Sequence, residues 1–359
     1  MAKIVTVIGA RPQFIKAAPV SRAFAEQKSV EEILIHTGQH FDQSMSDVFF
    51  NELGIPKPDH HLGVHGGGHG VMTGAMLQAL EPILISENPD WVLVYGDTNS
   101  TLAGALTASK LNIPVAHVEA GLRSFNRRMP EEQNRIVTDH LSSILFSPTN
   151  IATENLLHEG IPQEAVFQVG DVMYDAILYY SKLAEAHSSI FTKYQIQPQQ
   201  YVLATIHRAE NTDSGDRLTA ILSGLDKVAE QLRVVLPLHP RTKAALGELK
   251  YKPSHIQFID PVGYLDMVLL ENNALVITTD SGGVQKEAYF HGIPCVTLRD
   301  ETEWTELVDS KWNRLVSPEG GDIAGEILAA QGCLGDSEIK PFGKGDAAVR
   351  IVELLTDRT

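Results

Sequence analysis

Three acidic side chains in one stretch of the sequence have the type and spacing that proton transfer requires. Asp97 and Glu119 each follow a short apolar run, Trp91–Tyr95 and Pro114–Val118, and Glu131 comes after an arginine-rich segment. Parallel strands place ligands outside their carboxyl ends, so Asp97 and Glu119 are expected to face one crevice that Glu131 can join. Clustered carboxylates do not all ionise at low cost, and we therefore expect their pKa values to separate into a base and a proton donor.

Each of these acids also has a purely structural interpretation. Asp97 fits a helix N-cap, and Glu131 fits the common enrichment of acids in a first helical turn. Glu119 fits an ion pair with Arg123. We favour proton chemistry because all three acids fall at one expected edge of the sheet.

The segment GARPQFIK, residues 9–16, directly follows the first apolar run and carries two cations. Gly9 permits a tight turn, and Arg11 and Lys16 add positive charge near a helix N-terminus, which suits a phosphate group. An ordinary strand–helix turn with solvated cations is the alternative. No GxGxxG follows this run and the sequence contains no P-loop motif, so neither NAD nor a P-loop nucleotide site is expected.

The segment TTDSGGVQKEA, residues 278–288, has the features of a nucleotide site. Ser281 follows a strand, and Gly282 and Gly283 let the backbone of the next helix approach a ligand. The free amides of that helix suit a phosphate, and Glu287 can accept hydrogen bonds from ribose hydroxyls. A plain strand–glycine–helix turn is the alternative.

Histidines follow two successive strands of the second half. His207, with Arg208 beside it in ATIHRAEN, and His239 in PLHPR are candidates for ligand contacts, and a packed turn residue is the alternative for each. Further histidines lie among glycines in residues 56–70, which predicts a flexible loop rather than a metal site, because glycines hold no fixed ligand geometry; they are His60, His61, His65 and His69.

Length and composition limit the class of protein. With 359 residues and 43% hydrophobic side chains, the chain can build two full cores. The net charge of −16 disfavours nucleic acid and anionic membrane as partners. Cys295 and Cys333 form no CxxC pair, which argues against a disulfide framework or a zinc site. Because no signal segment or membrane-length apolar run occurs, we expect a cytoplasmic protein.

Short apolar strands alternate with amphipathic helices, which predicts a doubly wound α/β fold. In the first half the predicted strands are Ile4–Ile8, Glu32–His36, Trp91–Tyr95, Pro114–Val118 and Ile144–Ser147. In the second half they are Tyr201–Ile206, Arg233–Leu238, Ile256–Ile259, Leu275–Thr278 and Pro294–Leu298. We predict two Rossmann-like domains facing a cleft, residues 1–170 and 171–342, with the C-terminal helix in 343–359 packing back on the first.

The motifs described above occur together, and in the same order, in one known family. The chain resembles the non-hydrolysing UDP-N-acetylglucosamine 2-epimerases over essentially its whole length, on GARPQFIKAAP, YGDTNSTLAGAL, AHVEAGLRS, MPEEQNR, HRAEN and TDSGGVQKEA. The resemblance implies a GT-B-like fold, a homodimer, a UDP-sugar substrate and no requirement for NAD or a metal.

The reaction implied by the resemblance inverts C2 of a UDP-2-acetamido sugar. UDP is eliminated to leave a glycal and then adds back as C2 is protonated on its other face. Asp97, Glu119 and Glu131 match the family's catalytic acids, without an assignment of base and acid. His207 matches the position that steadies the departing diphosphate. The other matches to UDP-contacting positions are Arg11, Ser281, Gly282 and Glu287, and the residues themselves add Lys16, Arg208, His239 and Gly283 as candidate contacts.

Two departures from the commonest family pattern bear on the substrate. The first motif differs at Ala10, Gln13 and Phe14, and His69-Gly70 stands where many bacterial members have an Arg-Gln pair that binds a regulatory UDP-N-acetylglucosamine. Both departures resemble the branch acting on UDP-2,3-diacetamido-2,3-dideoxy-glucuronate. Its C6 carboxylate requires a further cation, for which the candidates are Arg123, Arg127 and Arg128; a solvated loop is the alternative.

Two other functions fit parts of the same sequence. A GT-B glycosyltransferase shares the fold and the nucleotide site, but it has no use for three carboxylates around C2. A non-catalytic sensor of nucleotide sugars is expected to have lost such acids, and here all three are present.

Overall fold

The computed structural model describes residues 1–39, 54–336 and 338–359, and the side chain of Arg11 lies outside what it describes. The chain forms two compact units, Met1–Ala176 with Lys340–Thr359, and Ile177–Ile339. We call them the first and second units. Within the described ranges, every helix is too short or too polar to span a bilayer.

The first unit is built on a seven-stranded parallel sheet in the order β3-β2-β1-β4-β5-β6-β7. Its strands are β1 Ala2–Ile8, β2 Val30–His36, β3 His60–His61, β4 Trp91–Tyr95, β5 Val115–Val118, β6 Ile144–Ser147 and β7 Val166–Gln168. Its helices are α1 Arg11–Glu26, α2 His69–Glu87, α3 Asn99–Lys110, α4 Pro130–Leu141 and α5 Asn150–His158, followed by a 3₁₀ turn at Gln163–Ala165 and by α6 Val172–His187, which continues into the second unit.

The second unit repeats the architecture with a six-stranded parallel sheet in the order β10-β9-β8-β11-β12-β13. Its strands are β8 Tyr201–Thr205, β9 Arg233–Pro237, β10 Gln257–Ile259, β11 Val276–Thr279, β12 Cys295–Thr297 and β13 Asn313–Leu315. Its helices are α7 Ile190–Tyr194, α8 Ala209–Thr212, α9 Gly215–Ala229, α10 Pro240–Glu248, α11 Tyr264–Asn272, α12 Gly282–Phe290, α13 Thr305–Asp309 and α14 Ile323–Ala330.

Each sheet has a point at which the strand order reverses. In the first unit β1 lies between β2 and β4, and in the second β8 lies between β9 and β11. The central strands are buried on both faces, as in β4, where all five residues are buried. Parallel strands that are buried on both faces have apolar side chains at nearly every position, which is why they could be located in the sequence. Ligands in such sheets bind outside the carboxyl ends of the strands at the reversal.

The predicted α/β class with two doubly wound sheets is confirmed, and all ten predicted strands are present with ends within two residues. The prediction that residues 56–70 form a loop was wrong in part. His60–His61 form the edge strand β3 beside Ile35 and His36, and α2 begins at His69. A two-residue strand is too short for an alternating apolar pattern to reveal it.

The C-terminal segment belongs to the first unit. Helix α15, Ala347–Thr356, packs against α1. Its N-terminal amides at Ala347 and Ala348 donate to the carboxylate of Asp175 on α6, at 3.3 and 2.8 Å. Arg350 donates to the carbonyl oxygens of Gln168 and Val169 at 2.8 and 3.1 Å. These contacts tie the last helix of the chain to the edge of the first sheet.

Candidate active site

A cavity of about 160 Å³ opens where the strand order of the first sheet reverses. Its walls come from the turns after β1 and β4 and from the N-terminal ends of α2, α3 and α4. The polar side chains that line it are Gln13, Lys16, Gln39, His69, Asp97, Thr98, Asn99, Glu131 and Asn134. The structure therefore brings the predicted Asp97, Glu131 and Lys16 to one cavity.

Glu119 is joined to this cavity through an ion pair with Lys16, whose Nζ contacts its Oε2. Glu119 is 8% exposed and has a φ of 68°, a left-handed conformation that is uncommon for a residue other than glycine. The neighbouring turn passes directly beneath this pair: a Cβ at Gly96 would lie 3.2 Å from both Glu119 Oε2 and Lys16 Nζ. The partner of Glu119 is thus Lys16, and not Arg123 as its structural interpretation required.

Asp97 is held by two residues of α4 that the sequence did not single out. Its carboxylate forms an ion pair with Arg135, and its carbonyl oxygen accepts a hydrogen bond from Asn134 Nδ2 at 2.9 Å. Burial opposes the charge of Arg135, but the nearby carboxylates of Asp97 and Glu119 outweigh it and raise its pKa. Arg135 lies one helical turn after Glu131, a spacing that places two residues on one helix face and could have revealed it.

Glu131 and Glu132, adjacent in the sequence, have different environments. Glu131 is exposed and lines the cavity. Glu132 is buried and accepts hydrogen bonds from Ser124 N and Phe125 N at 2.9 Å and from Arg135 at 3.1 Å. Burial opposes its ionisation, but these donors lower its pKa. Glu132 thereby fixes the loop that leads from β5 to α4 and leaves Glu131 at the cavity.

Arg123 lies in a buried structural network rather than in the cavity. Its guanidinium donates to both carboxylate oxygens of Glu159 at 2.7 Å and contacts Asp139 Oδ2 at 2.7 Å. Asp139 also bonds His117 Nδ1 at 2.7 Å, and His117 Nε2 bonds the carbonyl of Gly96 at 2.8 Å. This network links the end of β4 to the end of β5. Arg127 and Arg128, by contrast, are exposed on the same loop.

Gln13, one of the departures from the common family motif, is buried beneath the cavity floor. Its Oε1 accepts hydrogen bonds from Gly9 N and Ala10 N at 2.9 and 3.0 Å, and its Nε2 donates to Tyr95 O and Thr101 Oγ1, both at 3.0 Å. One amide side chain thus joins the turn after β1 to the turn after β4. The side chain of Arg11, a predicted phosphate contact, lies outside the described residues.

In the second unit the strand order reverses at a turn organised by Asp280. This buried carboxylate accepts hydrogen bonds from the backbone N–H groups of His207 and Arg208 at 3.1 Å, and from Asn211 Nδ2 at 3.1 Å. His207 keeps 41% of its side chain exposed, with Nδ1 3.5 Å from Asp280 Oδ1. The ring centroid of His239 lies 5.6 Å from that of His207. The two predicted histidines are therefore neighbours in space.

The start of α12 has the capped, close-approach geometry expected of a phosphate site. The Ser281 hydroxyl caps the helix by accepting from Val284 N at 3.5 Å, and Trp304 Nε1 donates to the carbonyl of Gly282 at 2.9 Å. A Cβ at Gly282 would press on the Glu303 carboxylate, so a side chain at this position requires Glu303 to move. Glu287, one turn on, is buried at 8% exposure. Gly283 follows in the first turn of the helix.

No metal centre is present in the parts of the chain that the structure describes, where no three His, Cys, Asp or Glu side chains are arranged to hold an ion. The glycine-associated histidines instead make separate contacts. His60 Nε2 bonds Glu87 at 3.0 Å, His61 stacks on His36 with centroids 4.5 Å apart, and His69 contacts Asn99 at the cavity wall.

Comparison with known proteins matches this chain to one family. The model of the UDP-N-acetylglucosamine 2-epimerases matches residues 22–356. The chain belongs to that family. It is 52% identical, over 98% of its length and 99% of the relative's, to the UDP-2,3-diacetamido-2,3-dideoxy-D-glucuronate 2-epimerase of Pseudomonas aeruginosa. The resemblance seen in the sequence motifs is thereby confirmed.

Solved structures of family members share the fold. The Methanocaldococcus jannaschii UDP-GlcNAc 2-epimerase in complex with UDP-GlcNAc and UDP superposes with a TM-score of 0.86, at 43% identity and 99% coverage of both chains. The Neisseria meningitidis UDP-GlcNAc 2-epimerase bound to UDP-GlcNAc gives a TM-score of 0.89, at 31% identity, covering 99% of this chain and all of the other. These relatives support an isomerase of the UDP-sugar 2-epimerase class over a glycosyltransferase.

Proposed function

We propose that this family member inverts C2 of a UDP-2-acetamido sugar by eliminating UDP and adding it back. The observation that carries the proposal is the cavity in the first unit, where Asp97 and Glu131 line the wall and the Lys16–Glu119 pair adjoins it. Proton transfer on both faces of a carbon requires more than one acid–base group, and this cavity supplies carboxylates on different elements.

In the proposed reaction a carboxylate removes the C2 proton while the C1–oxygen bond breaks. The electron pair of the C–H bond becomes the C1–C2 double bond of a glycal, and the C1–O pair leaves on the β-phosphate of UDP. In the return step a phosphate oxygen attacks C1, and a carboxylic acid delivers a proton to the opposite face of C2. The C2 hydrogen is weakly acidic, so removal in concert with the leaving group lowers the barrier.

We propose that residues of the second unit bind the UDP leaving group. His207, beside the Asp280-organised turn, supplies positive charge or a hydrogen bond to the diphosphate as it departs. Ser281, Gly282 and Gly283 offer the amides of α12 to a phosphate. Glu287 binds the ribose, and Arg208 and His239 extend the contact surface. Arg11 and Lys16 are the corresponding cations proposed in the first unit.

We propose that the specific substrate is UDP-2,3-diacetamido-2,3-dideoxy-glucuronate, the sugar nucleotide for which the Pseudomonas aeruginosa relative is named. The C6 carboxylate of that sugar requires a cation. Because Arg123 is committed to Glu159 and Asp139, the candidates reduce to Arg127 and Arg128, both exposed.

We also propose a cytoplasmic homodimer, as the family resemblance implies; light scattering of the purified protein tests the dimer.

The experiment is proton NMR in deuterated water with UDP-N-acetylglucosamine and UDP-2,3-diacetamido-2,3-dideoxy-glucuronate offered separately. Deuterium at C2 together with a manno-configured product is expected, because the carboxylic acid that reprotonates C2 carries a proton exchanged with solvent. Product formed only from the glucuronate supports that sugar as the specific substrate. Equal deuterium exchange at C2 of UDP-N-acetylglucosamine contradicts that assignment. Absence of exchange on both sugars contradicts the proposed reaction.

A matched variant separates an enzyme from a binding protein. Asp97→Asn keeps the size of the side chain and removes its basicity. Deuterium exchange at C2 is therefore expected to stop while UDP still binds. An Asp97→Asn protein that exchanges as fast as the wild type contradicts a proton-transfer role for Asp97.

A further inference from the structure

A second pair of acidic side chains is buried in the second unit, apart from the proposed proton chemistry. Glu271 on α11 is fully buried, and Glu287 on α12, the proposed ribose contact, is 8% exposed. The two helices pack against each other and bring the two carboxyl groups close enough to interact. Two buried carboxyl groups cannot both ionise without a large desolvation cost, so one of them carries a proton.

Among the described residues, no cation is placed to balance a second charge at Glu271. In the described part of the chain, no N–H or hydroxyl group donates to either oxygen of its carboxyl. The imidazole Nε2 of His291 lies 3.8 Å from Glu271 Oε2, which is beyond hydrogen-bond distance. Burial lowers the pKa of His291 to about 4, so this ring is neutral at neutral pH.

The other titratable groups that face Glu271 are also neutral. Tyr201 on β8 and Cys295 on β12 are buried beside it, and burial raises the pKa of both, that of Cys295 to about 12. Burial, followed by the proximity of Glu287, likewise raises the pKa of Glu271 well above its usual range. Among the described neighbours, Glu287 is therefore the group with which Glu271 shares its proton.

We infer that Glu271 is a positioning residue for nucleotide binding: as a neutral acid it donates a hydrogen bond to the Glu287 carboxylate and directs that carboxylate toward a vicinal diol. The diol is the ribose of the nucleotide, and in this respect the inference rests on the proposed function. A carboxylate has about four lone-pair sites, so one accepted proton leaves capacity for two hydroxyl donors. Loss of the shared proton places two like charges side by side and weakens binding.

The test is calorimetric titration of the full-length protein with UDP, comparing the wild type with Glu271→Gln and Glu271→Leu. The glutamine amide still donates to Glu287, so Glu271→Gln is expected to bind within about threefold of the wild type at pH 7. The leucine removes a hydrogen bond to a charged acceptor, so the Kd is expected to rise about tenfold or more. With 2′-deoxyuridine diphosphate, which lacks the diol, this difference should shrink.

The pH profile provides a readout that a merely structural role would not change. As the pH is raised above neutrality the shared proton is lost, because the pKa of Glu271 lies well above the usual carboxyl range, and the wild-type Kd should rise. In Glu271→Gln, whose amide has no proton to lose, that rise should be absent. If both proteins weaken in parallel, or if Glu271→Leu binds UDP as the wild type does, Glu271 has no such role.

Deuterium incorporation at C2 on the same samples separates this inference from the proposed function. A wild type that neither binds UDP nor exchanges C2 overturns the proposed function. A wild type that does both, with UDP affinity and pH profile unchanged in both variants, overturns only the inference. Should Glu271→Leu fail to fold, the pH profile of Glu271→Gln alone still decides.

Discussion

The acids around the first-unit cavity differ in what balances their charge. Lys16 contacts Glu119 and Arg135 contacts Asp97, whereas Glu131 is exposed at the cavity wall. An ion pair fixes the direction in which a carboxylate points, and an exposed one can reorient. The environment thus holds Asp97 and Glu119 in fixed positions and allows Glu131 to reorient. Acid–base catalysis uses this kind of asymmetry.

At this scale we expect Glu119→Gln to lower C2 deuterium incorporation by ~100-fold or more, because the amide cannot exchange a proton with the substrate. UDP affinity should change much less than deuterium incorporation, since Glu119 reaches the proposed nucleotide contacts only through Lys16. NMR in deuterated water and calorimetry measure the two quantities. Glu154→Gln, at an exposed site on α5, is the matched control and should change neither. Undiminished exchange in Glu119→Gln would remove its catalytic role.

Gly96 permits the close approach of the turn after β4 to the Lys16–Glu119 pair. Its φ is 63°, so an alanine there costs about 1–2 kcal/mol of backbone strain, and its Cβ would press on both charged groups. We expect Gly96→Ala to lower both the free energy of unfolding and the turnover. Gly74→Ala, in α2 with open space around its Cβ, should not destabilise the protein. Thermal unfolding checks both variants, and equal melting temperatures would contradict the strain argument.

The sequence placed Asp97 and Glu119 at strand ends because parallel topology brings those ends to one edge of a sheet. It did not identify their partners, since Lys16 and Glu119 are 103 positions apart and no local spacing records such a contact. Arg123, four positions from Glu119, was the nearest cation in sequence, but Glu159 and Asp139 bind it. Long-range pairing is decided by packing, and only the periodicity of elements is visible in sequence.

Among the elements, we expect the stability of the junction between α6 and α15 to depend on pH. Burial, opposed by the Ala348 and Ala347 amides, raises the pKa of Asp175 from 3.8 to about 6. A carboxyl group whose folded-state pKa is raised contributes stability that is fully present below about pH 4 and is lost as the pH rises through about 6. The loss corresponds to roughly 3 kcal/mol at most. The junction that holds the last helix therefore loses stability as Asp175 ionises, because the charge is buried there.

We expect Asp175→Asn to remove this pH dependence, because its amide oxygen still accepts from Ala348 N but carries no charge. Relative to the wild type, the variant should gain stability as the pH rises from about 4 to about 7. Urea unfolding followed by Trp91 fluorescence, with Trp304 and Trp312 replaced by Phe, reports on the first unit. Glu353→Gln, exposed on α15, is the control. Parallel pH curves for Asp175→Asn and wild type would contradict the assignment.

The element pattern was visible in sequence where strands are long and buried on both faces. The strands that were missed are β3, β7 and β13, all at or near sheet edges and only two or three residues long. Their residues are partly exposed, as in the Asn313–Leu315 strand, so they lack the continuous apolar run of the central strands. Pairing to a neighbour already in place, rather than local propensity, makes them strands.

For the molecule as a whole, the first unit depends on both ends of the chain. Ile351, Val352 and Leu355 of α15 are buried, and each apolar side chain of this size contributes about 1.5–3 kcal/mol on burial. Deleting residues 346–359 is therefore expected to cost roughly 5 kcal/mol or more, comparable to the stability of a typical domain. The unfolding transition reported by Trp91 fluorescence should shift to a much lower urea concentration or disappear.

Deletion of residues 357–359 alone is the matched control, because it removes the end of the chain and leaves α15 intact. It should shift the Trp91 transition only slightly. If the larger deletion leaves the Trp91 midpoint unchanged, α15 does not contribute to the first unit as its packing indicates.

The return of residues 340–359 to the first unit also has a consequence for synthesis on the ribosome. Domains generally fold as units in the order in which they are translated. Here the first sheet is translated before its covering helix α15, and all of Ile177–Ile339 is translated between them. A nascent chain cut at about residue 340 and extended by an unrelated linker long enough to clear the ribosomal exit tunnel should therefore contain a folded second unit, and an α1 surface that still lacks its covering helix.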